Sequence, residues 1–213
     1  MHPAIGIVAH VDRTKKAWDL FKKVNATYIS IDDGKLGCTG NHIEVLTWLR
    51  AMFDEDEWFI VLEDDSQPCQ DFVSQAKMAL MTTNAGIVSF YLGRSYPIQW
   101  QNTIERAIAL SDNASWITSQ HLLHAVGYAV NISVVDDLLD NLDPTARTPV
   151  DEQISVYCRN NDVHVGYTQP SLVDHEDSPS VIGTHPDGVP RLLPRKAWTF
   201  GAREVWSSRS IPL

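Results

Sequence analysis

The stretch Glu57-Trp58-Phe59-Ile60-Val61-Leu62-Glu63-Asp64-Asp65-Ser66-Gln67-Pro68 decides the reading of this chain. An apolar run over 58–62 stops abruptly at three carboxylates, and Ser66 and Pro68 then break the pattern. Such a run is a buried strand closed by a turn. Adjacent acids repel one another, so a strand that delivers three of them to one place implies a positive partner. A hard divalent cation is the first choice, because Mg²⁺ and Mn²⁺ take oxygen ligands and commonly share one or two carboxylates with substrate phosphates. The alternative is an acidic strand end facing water.

Working outward, 4–10 reads as a buried first strand and 13–24 as a helix with Ala17, Leu20, Phe21 and Val24 on one stripe. Residues 26–31 form a second strand. The glycine-rich segment 34–40 is expected as a loop opening a helix over 41–53. Further helices are expected at 71–81, 103–110 and 134–141, and strands at 86–92 and 115–118, with a small-residue run over 122–130. Thr148 is a plausible helix N-cap with Pro149 in the first helical position. Residues 163–167 are expected as the last strand. The β-α-β-α-β opening predicts one α/β domain over 1–213, with a mostly parallel central sheet and helices on both faces. In such sheets ligands bind beyond the carboxyl ends of the strands, where Asp32, Asp33, the glycine segment and the triplet all fall.

Composition narrows the function. The chain has 213 residues, 44% of them hydrophobic, enough for a sizeable core. No apolar run approaches the roughly 18 residues of a membrane span. Met1-His2-Pro3 leads straight into the first strand with no basic-then-apolar signal segment, so a cytoplasmic protein is expected. Cys38, Cys69 and Cys158 are an odd set without metal-like spacing and are read as reduced thiols. The formal net charge of −10 argues against a general nucleic-acid coat. Within the C-terminal segment 178–213, the stretch from Val189 to Leu213 runs the other way: it carries Arg191, Arg195, Lys196, Arg203 and Arg209 against only Glu204, with Trp198, Phe200 and Trp206. A basic, aromatic tail either meets phosphates and bases or wraps the body, and the second reading is favoured.

Several chemistries lack their signatures. No Gly-Lys-Ser/Thr follows the glycine segment, and that segment follows the second strand rather than the first, so neither phosphate loop nor dinucleotide fingerprint fits. A Gly-x-Ser-x-Gly elbow is absent. His121 and His124 lack zinc-type partners.

Taken in order, five motifs resemble the GT-A-fold nucleotide-sugar glycosyltransferases, and among them the lipopolysaccharide-type enzymes of family 25. They are the acidic strand end; Ile5-Gly6-Ile7-Val8-Ala9-His10-Val11-Asp12-Arg13; Gly34-Lys35-Leu36-Gly37-Cys38-Thr39-Gly40-Asn41-His42; Thr148-Pro149-Val150-Asp151-Glu152-Gln153-Ile154; and Gln169-Pro170-Ser171-Leu172-Val173-Asp174-His175. The resemblance implies a GT-A-like fold and transfer of a sugar from a nucleotide-diphosphate donor, UDP-linked first, to a hydroxyl, with Mn²⁺ or Mg²⁺. It implies Asp65 and His175 as metal ligands. It places His10, Arg13, Asp32, Asp33, Gly37, Asn41, Glu63 and Asp64 around the donor, with Arg13 toward the diphosphate and Glu63 and Asp64 toward sugar or ribose hydroxyls. Asp151 becomes the general base, with Glu152 in reserve. Helix-dipole compensation explains two acids in a first turn equally well. Relatives of this kind act on surface glycans or, in phages, on hydroxymethylated DNA bases, so DNA modification is one acceptor class. The alternatives are a nucleotidyltransferase, which wants a more glycine-rich first loop, and a non-catalytic nucleotide- or carbohydrate-binding module. Oligomeric state is not encoded legibly.

Overall fold

The computed structural model describes residues 3–53, 57–177 and 194–213. Residues 178–193, the first part of the expected tail and including Arg191, lie outside the described residues.

The elements in chain order are β1 (Ala4–His10), α1 (Thr14–Lys23), β2 (Tyr28–Asp32), α2 (Gly37–Met52), β3 (Trp58–Glu63), β4 (Ser66–Pro68), α3 (Phe72–Leu80), β5 (Ile87–Ser89), α4 (Gln101–Ala109), β6 (Trp116–Ser119), β7 (Gly127–Asn131), α5 (Ile132–Asn141), α6 (Val150–Asn160), β8 (Val165–Thr168), β9 (Val173–His175) and β10 (Ser210–Pro212). Eight strands form the central sheet in the order β10-β6-β8-β5-β7-β3-β1-β2, while β4 and β9 pair as a separate antiparallel ribbon.

β2, β1 and β3 are parallel, as are β5 and β8. The small-residue run resolves into β7, which is antiparallel to both β3 and β5. β6 opposes β8, and β10 lies parallel to β6 at the edge. The sheet is therefore mixed with a parallel majority. Residues 163–167 are not the last strand: β9 and β10 follow.

Strand alternation divides the core in two. Ala4 and Val8 of β1 and Phe59 and Val61 of β3 point to one face, where α2, α4, α5 and α6 pack through Val45, Leu46, Leu49, Ile104, Val135, Leu138 and Ile154. Ile5, Ile7, Trp58, Ile60 and Leu62 point to the other, against Ala17 and Leu20 of α1 and Phe72, Ala76 and Leu80 of α3. Gly6 lies on the α2 side of β1. A Cβ there would come within 2.3 Å of Val45 Cγ1 and 3.2 Å of Leu49 Cδ1. Gly6→Ala is expected to overpack this contact and to cost ~1–3 kcal/mol, seen as a lower urea midpoint with an unchanged slope.

Two boundaries differ from the sequence reading in ways that matter to the site. α2 begins at Gly37, not at 41, because the Asp32 carboxylate accepts hydrogen bonds from the backbone N–H groups of Leu36 and Gly37, both at 3.0 Å. That clamp closes the loop early, with Gly34 and Gly37 at positive φ. At the other boundary Pro149, not Thr148, is the N-cap residue of α6. The Thr148 carbonyl instead accepts from Gln153 Nε2 at 3.0 Å and from the Thr39 hydroxyl at 3.3 Å, which ties the start of α6 to the start of α2.

The described part of the tail wraps the body. Lys196 Nζ donates to the His175 carbonyl at 2.7 Å and pairs with Asp174 at 3.1 Å. Arg203 Nη1 donates to the carbonyls of Ala114 and Gln169, and Trp206 Nε1 to Gln75. Lys196 and Arg203 are thus engaged by the body of the protein. Among the described residues no helix is long and apolar enough to cross a membrane.

Candidate functional site

The register of the sheet assembles the site. His10 ends β1 opposite Asp32 at the end of β2, and Glu63 ends β3 beside Val8. All three therefore reach the carboxyl edge of the parallel strands together. α2 starts over the same edge, and β9 brings His175 to it by pairing His175 with Ser66. Between them lies a cavity of about 390 Å³ lined by Val8, Ala9, His10, Arg13, Asp32, Gly34, Gly37, Cys38, Asn41, Glu63, Asp64, Asp65, His175 and Arg195. Nine of the ten residues expected around donor and metal line it; Asp33 does not, being exposed and paired with Lys35 at 2.7 Å.

The acids are not equivalent. Asp64 accepts from the His10 backbone N–H at 2.9 Å and from Arg13 Nη1 at 2.9 Å. The same guanidinium nitrogen donates to Asp65 Oδ2 at 2.6 Å. Asp65 Oδ2 also lies 3.5 Å from His175 Nε2. Glu63 turns the other way, toward α2, where its Oε1 is 3.3 Å from His42 Nε2. His42 is fully buried, and its Nδ1 is 3.2 Å from the Tyr128 hydroxyl. Arg13 thus holds two acids rather than projecting freely at a diphosphate, and Asp32 holds the α2 turn with both carboxylate oxygens.

Three polar atoms on this wall are buried without a hydrogen-bond partner: Asn41 Oδ1, Asp65 Oδ1 and His175 Nδ1. Native interiors generally pair such atoms, so each exception calls for a reason, a bound ligand, ion or water among them. Asn41 is fixed by its other amide atom, Nδ2 donating to the Ala9 carbonyl at 3.0 Å.

Likeness to proteins of known structure is confined to the backbone arrangement. One structure that the chain resembles is a glycosyltransferase involved in the glycosylation of the major capsid of PBCV-1, at 12% identity and TM-score 0.44, over 73% of this chain and 74% of that one. A second is A197 from STIV, at 11% identity and TM-score 0.47, over 82% and 86%. The sequence matches no protein-family model and no curated protein. Neither structure assigns the chain to family 25, and at these values neither bears on its chemistry.

The electrostatics come from the chain itself. Burial and the neighbouring Glu63 charge raise the Asp65 carboxyl above its ordinary value, outweighing His175 and Arg13, which pull it down. Burial raises the Cys38 thiol, and the charges of Glu63, Asp151, Asp65 and Asp64 raise it further. Asp151 is half-buried in the first turn of α6 and does not line the cavity, but its carboxyl is pushed up to about 7 by burial first and the Glu63 charge second. The backbone N–H of Glu152, which donates to Asp151 Oδ1 at 3.0 Å, acts the other way and loses. Glu152 itself is exposed.

Three residues of the site escape the sequence reading. Arg195 belongs to the basic tail, yet its side chain lines the cavity. Cys38 and His42 are four apart, one helical turn, but a helix expected to start at 41 leaves Cys38 in a loop and hides that spacing.

Proposed function

We propose that the chain is a metal-dependent glycosyltransferase that moves a sugar from a nucleotide diphosphate, UDP-linked first, to an acceptor hydroxyl. The observation that carries this reading is the set of buried, unpartnered atoms Asn41 Oδ1, Asp65 Oδ1 and His175 Nδ1 on the wall of one cavity at the carboxyl edge of the sheet. Its volume suits a small ligand.

Asp65 and His175 fit a divalent cation. Asp65 Oδ2 and His175 Nε2, 3.5 Å apart, can both reach one ion, and the second carboxylate oxygen of Asp65, Oδ1, is without a partner. Such an ion, Mn²⁺ or Mg²⁺, would be held by Asp65 and His175 and would supply positive charge to a diphosphate leaving group. The chain's own residues do the rest. Asn41 accepts a donor hydroxyl or base N–H. Arg13 keeps Asp64 and Asp65 oriented. Arg195 adds a guanidinium to a wall otherwise rich in acids and meets phosphate oxygens. Asp151, poised near neutrality, takes the acceptor's proton. The acceptor class that fits this reading is a surface glycan hydroxyl or a hydroxymethylated base in phage DNA.

The test is calorimetric titration of UDP and the other nucleoside diphosphates into the full chain, with Mn²⁺ or with chelator. Metal-dependent binding is expected. Binding of none of them would end the reading. Arg195→Gln is expected to weaken Mn²⁺–UDP binding ~10–100-fold, the worth of a charged hydrogen bond of ~1.5–3 kcal/mol, while Arg203→Gln leaves it unchanged.

A further inference from the structure

We infer that Cys38, His42 and Glu63 form a second metal site, a three-ligand site for a borderline-soft divalent cation, Zn²⁺ by preference, opening onto the same cavity. Their ligand atoms all lie within 4.8 Å of one another, and among the described residues no other group of three or more His, Cys, Asp and Glu side chains meets that condition. Cys38 and His42 stand one turn apart on α2, and Glu63 faces them from the end of β3. Two rigid elements therefore hold the set.

The distances favour an ion over a plain hydrogen bond. His42 Nε2 and Glu63 Oε1 are 3.3 Å apart, long for a charge-assisted contact of ~2.7–2.9 Å. A tetrahedron around zinc with bonds of ~2.0–2.1 Å has an N···O edge of about 3.3 Å. The other imidazole nitrogen is engaged as in zinc-ligating histidines: Nδ1 lies 3.2 Å from the Tyr128 hydroxyl, which can accept its proton when Nε2 binds an ion. A thiolate, a carboxylate and a neutral imidazole also balance a doubly charged cation, which suits a buried position. Binding transfers the thiol proton to solvent and forms a sulfur–metal bond.

Three protein ligands leave a fourth position open to the cavity, where Cys38 is exposed. That arrangement takes a water or a ligand oxygen in the fourth place. The site is distinct from the Asp65–His175 pair in ligands and in softness, and it does not depend on sugar transfer.

The experiment is titration of Co²⁺ into the chelator-treated full chain. A near-ultraviolet sulfur-to-cobalt band and intense visible bands of tetrahedral type are expected, saturating at one ion per chain and bleached by Zn²⁺. Cys38→Ser should lose the sulfur band. Glu63→Gln should weaken Co²⁺ binding at least ~10-fold while circular dichroism stays unchanged. Asp65→Asn should keep the band even where Mn²⁺–UDP binding is lost, which separates this site from the proposed function. Absence of the band in the unaltered chain, or its persistence in Cys38→Ser, would overturn the inference. Loss of the band in Asp65→Asn would overturn the claim of a second, separate site.

Discussion

Asp151→Asn is expected to bind donor normally and to transfer sugar ~10²–10⁴-fold more slowly, the usual contribution of a general base. The amide keeps the shape of the side chain and cannot take a proton. In the unaltered chain the rate should climb with pH and level off above about 7, because only the ionised carboxylate can act and its carboxyl sits near that value. The slope should vanish in Asp151→Asn. Stability should move oppositely. A carboxyl raised from 3.8 to about 7 favours the folded state while it is protonated. That contribution is complete below the unfolded value and is lost as pH rises through the folded one. Between pH 4 and 8 the unaltered chain should therefore lose stability that Asp151→Asn keeps. The side chain is partly open to water, so the difference is on the order of 1–2 kcal/mol rather than the full ~4. Urea midpoints at the two pH values measure it. A variant with full transfer activity would remove Asp151 from the mechanism, and loss of activity in Glu152→Gln alone would move the role to the exposed neighbour.

Asp65→Ala is expected to abolish Mn²⁺-dependent binding of nucleoside diphosphate. Loss of an outer partner of a metal ligand costs 10–100-fold, and loss of the ligand itself should exceed ~100-fold. The fold should survive. Arg13 retains Asp64 at 2.9 Å, so no cation is stranded, and Asp65 is itself an acid that burial and Glu63 disfavour in its charged form. Calorimetry with Mn²⁺ and UDP, beside a thermal melt, checks both halves. Unchanged binding would remove the acidic strand end from the chemistry.

Much of this site was legible because it is local. The run over 58–62 fixes a strand, and strand direction fixes where Glu63, Asp64 and Asp65 emerge. The parallel opening of the sheet then puts Asp32 and His10 at the same edge. What stayed hidden depends on contacts far apart in sequence. The early start of α2 comes from the Asp32 clamp, a side-chain cap that no periodicity announces. The antiparallel course of β7 follows from its place between β3 and β5, and strand direction leaves no mark in composition. Arg195 reaches the cavity only because the tail folds back along β9. The value of the Asp151 carboxyl was undetermined for the same reason: helix position lowers it, burial and Glu63 raise it, and Glu63 lies 88 positions away in sequence.

The pairing of Ser66 with His175 has a consequence for biogenesis. A ribosome making this chain releases Arg13, Asp64 and Asp65 long before it releases His175, which follows Asp65 by 110 positions. Throughout that interval Arg13 is the cation at hand for the nascent acids. Asp65 and His175 can share the ion that the proposed function assigns to them only after β9 docks. On that proposal, metal uptake at this pair is a late, post-synthetic event, governed by the ion pool that the nearly finished protein meets and not by the pool around the ribosome as the acids emerge.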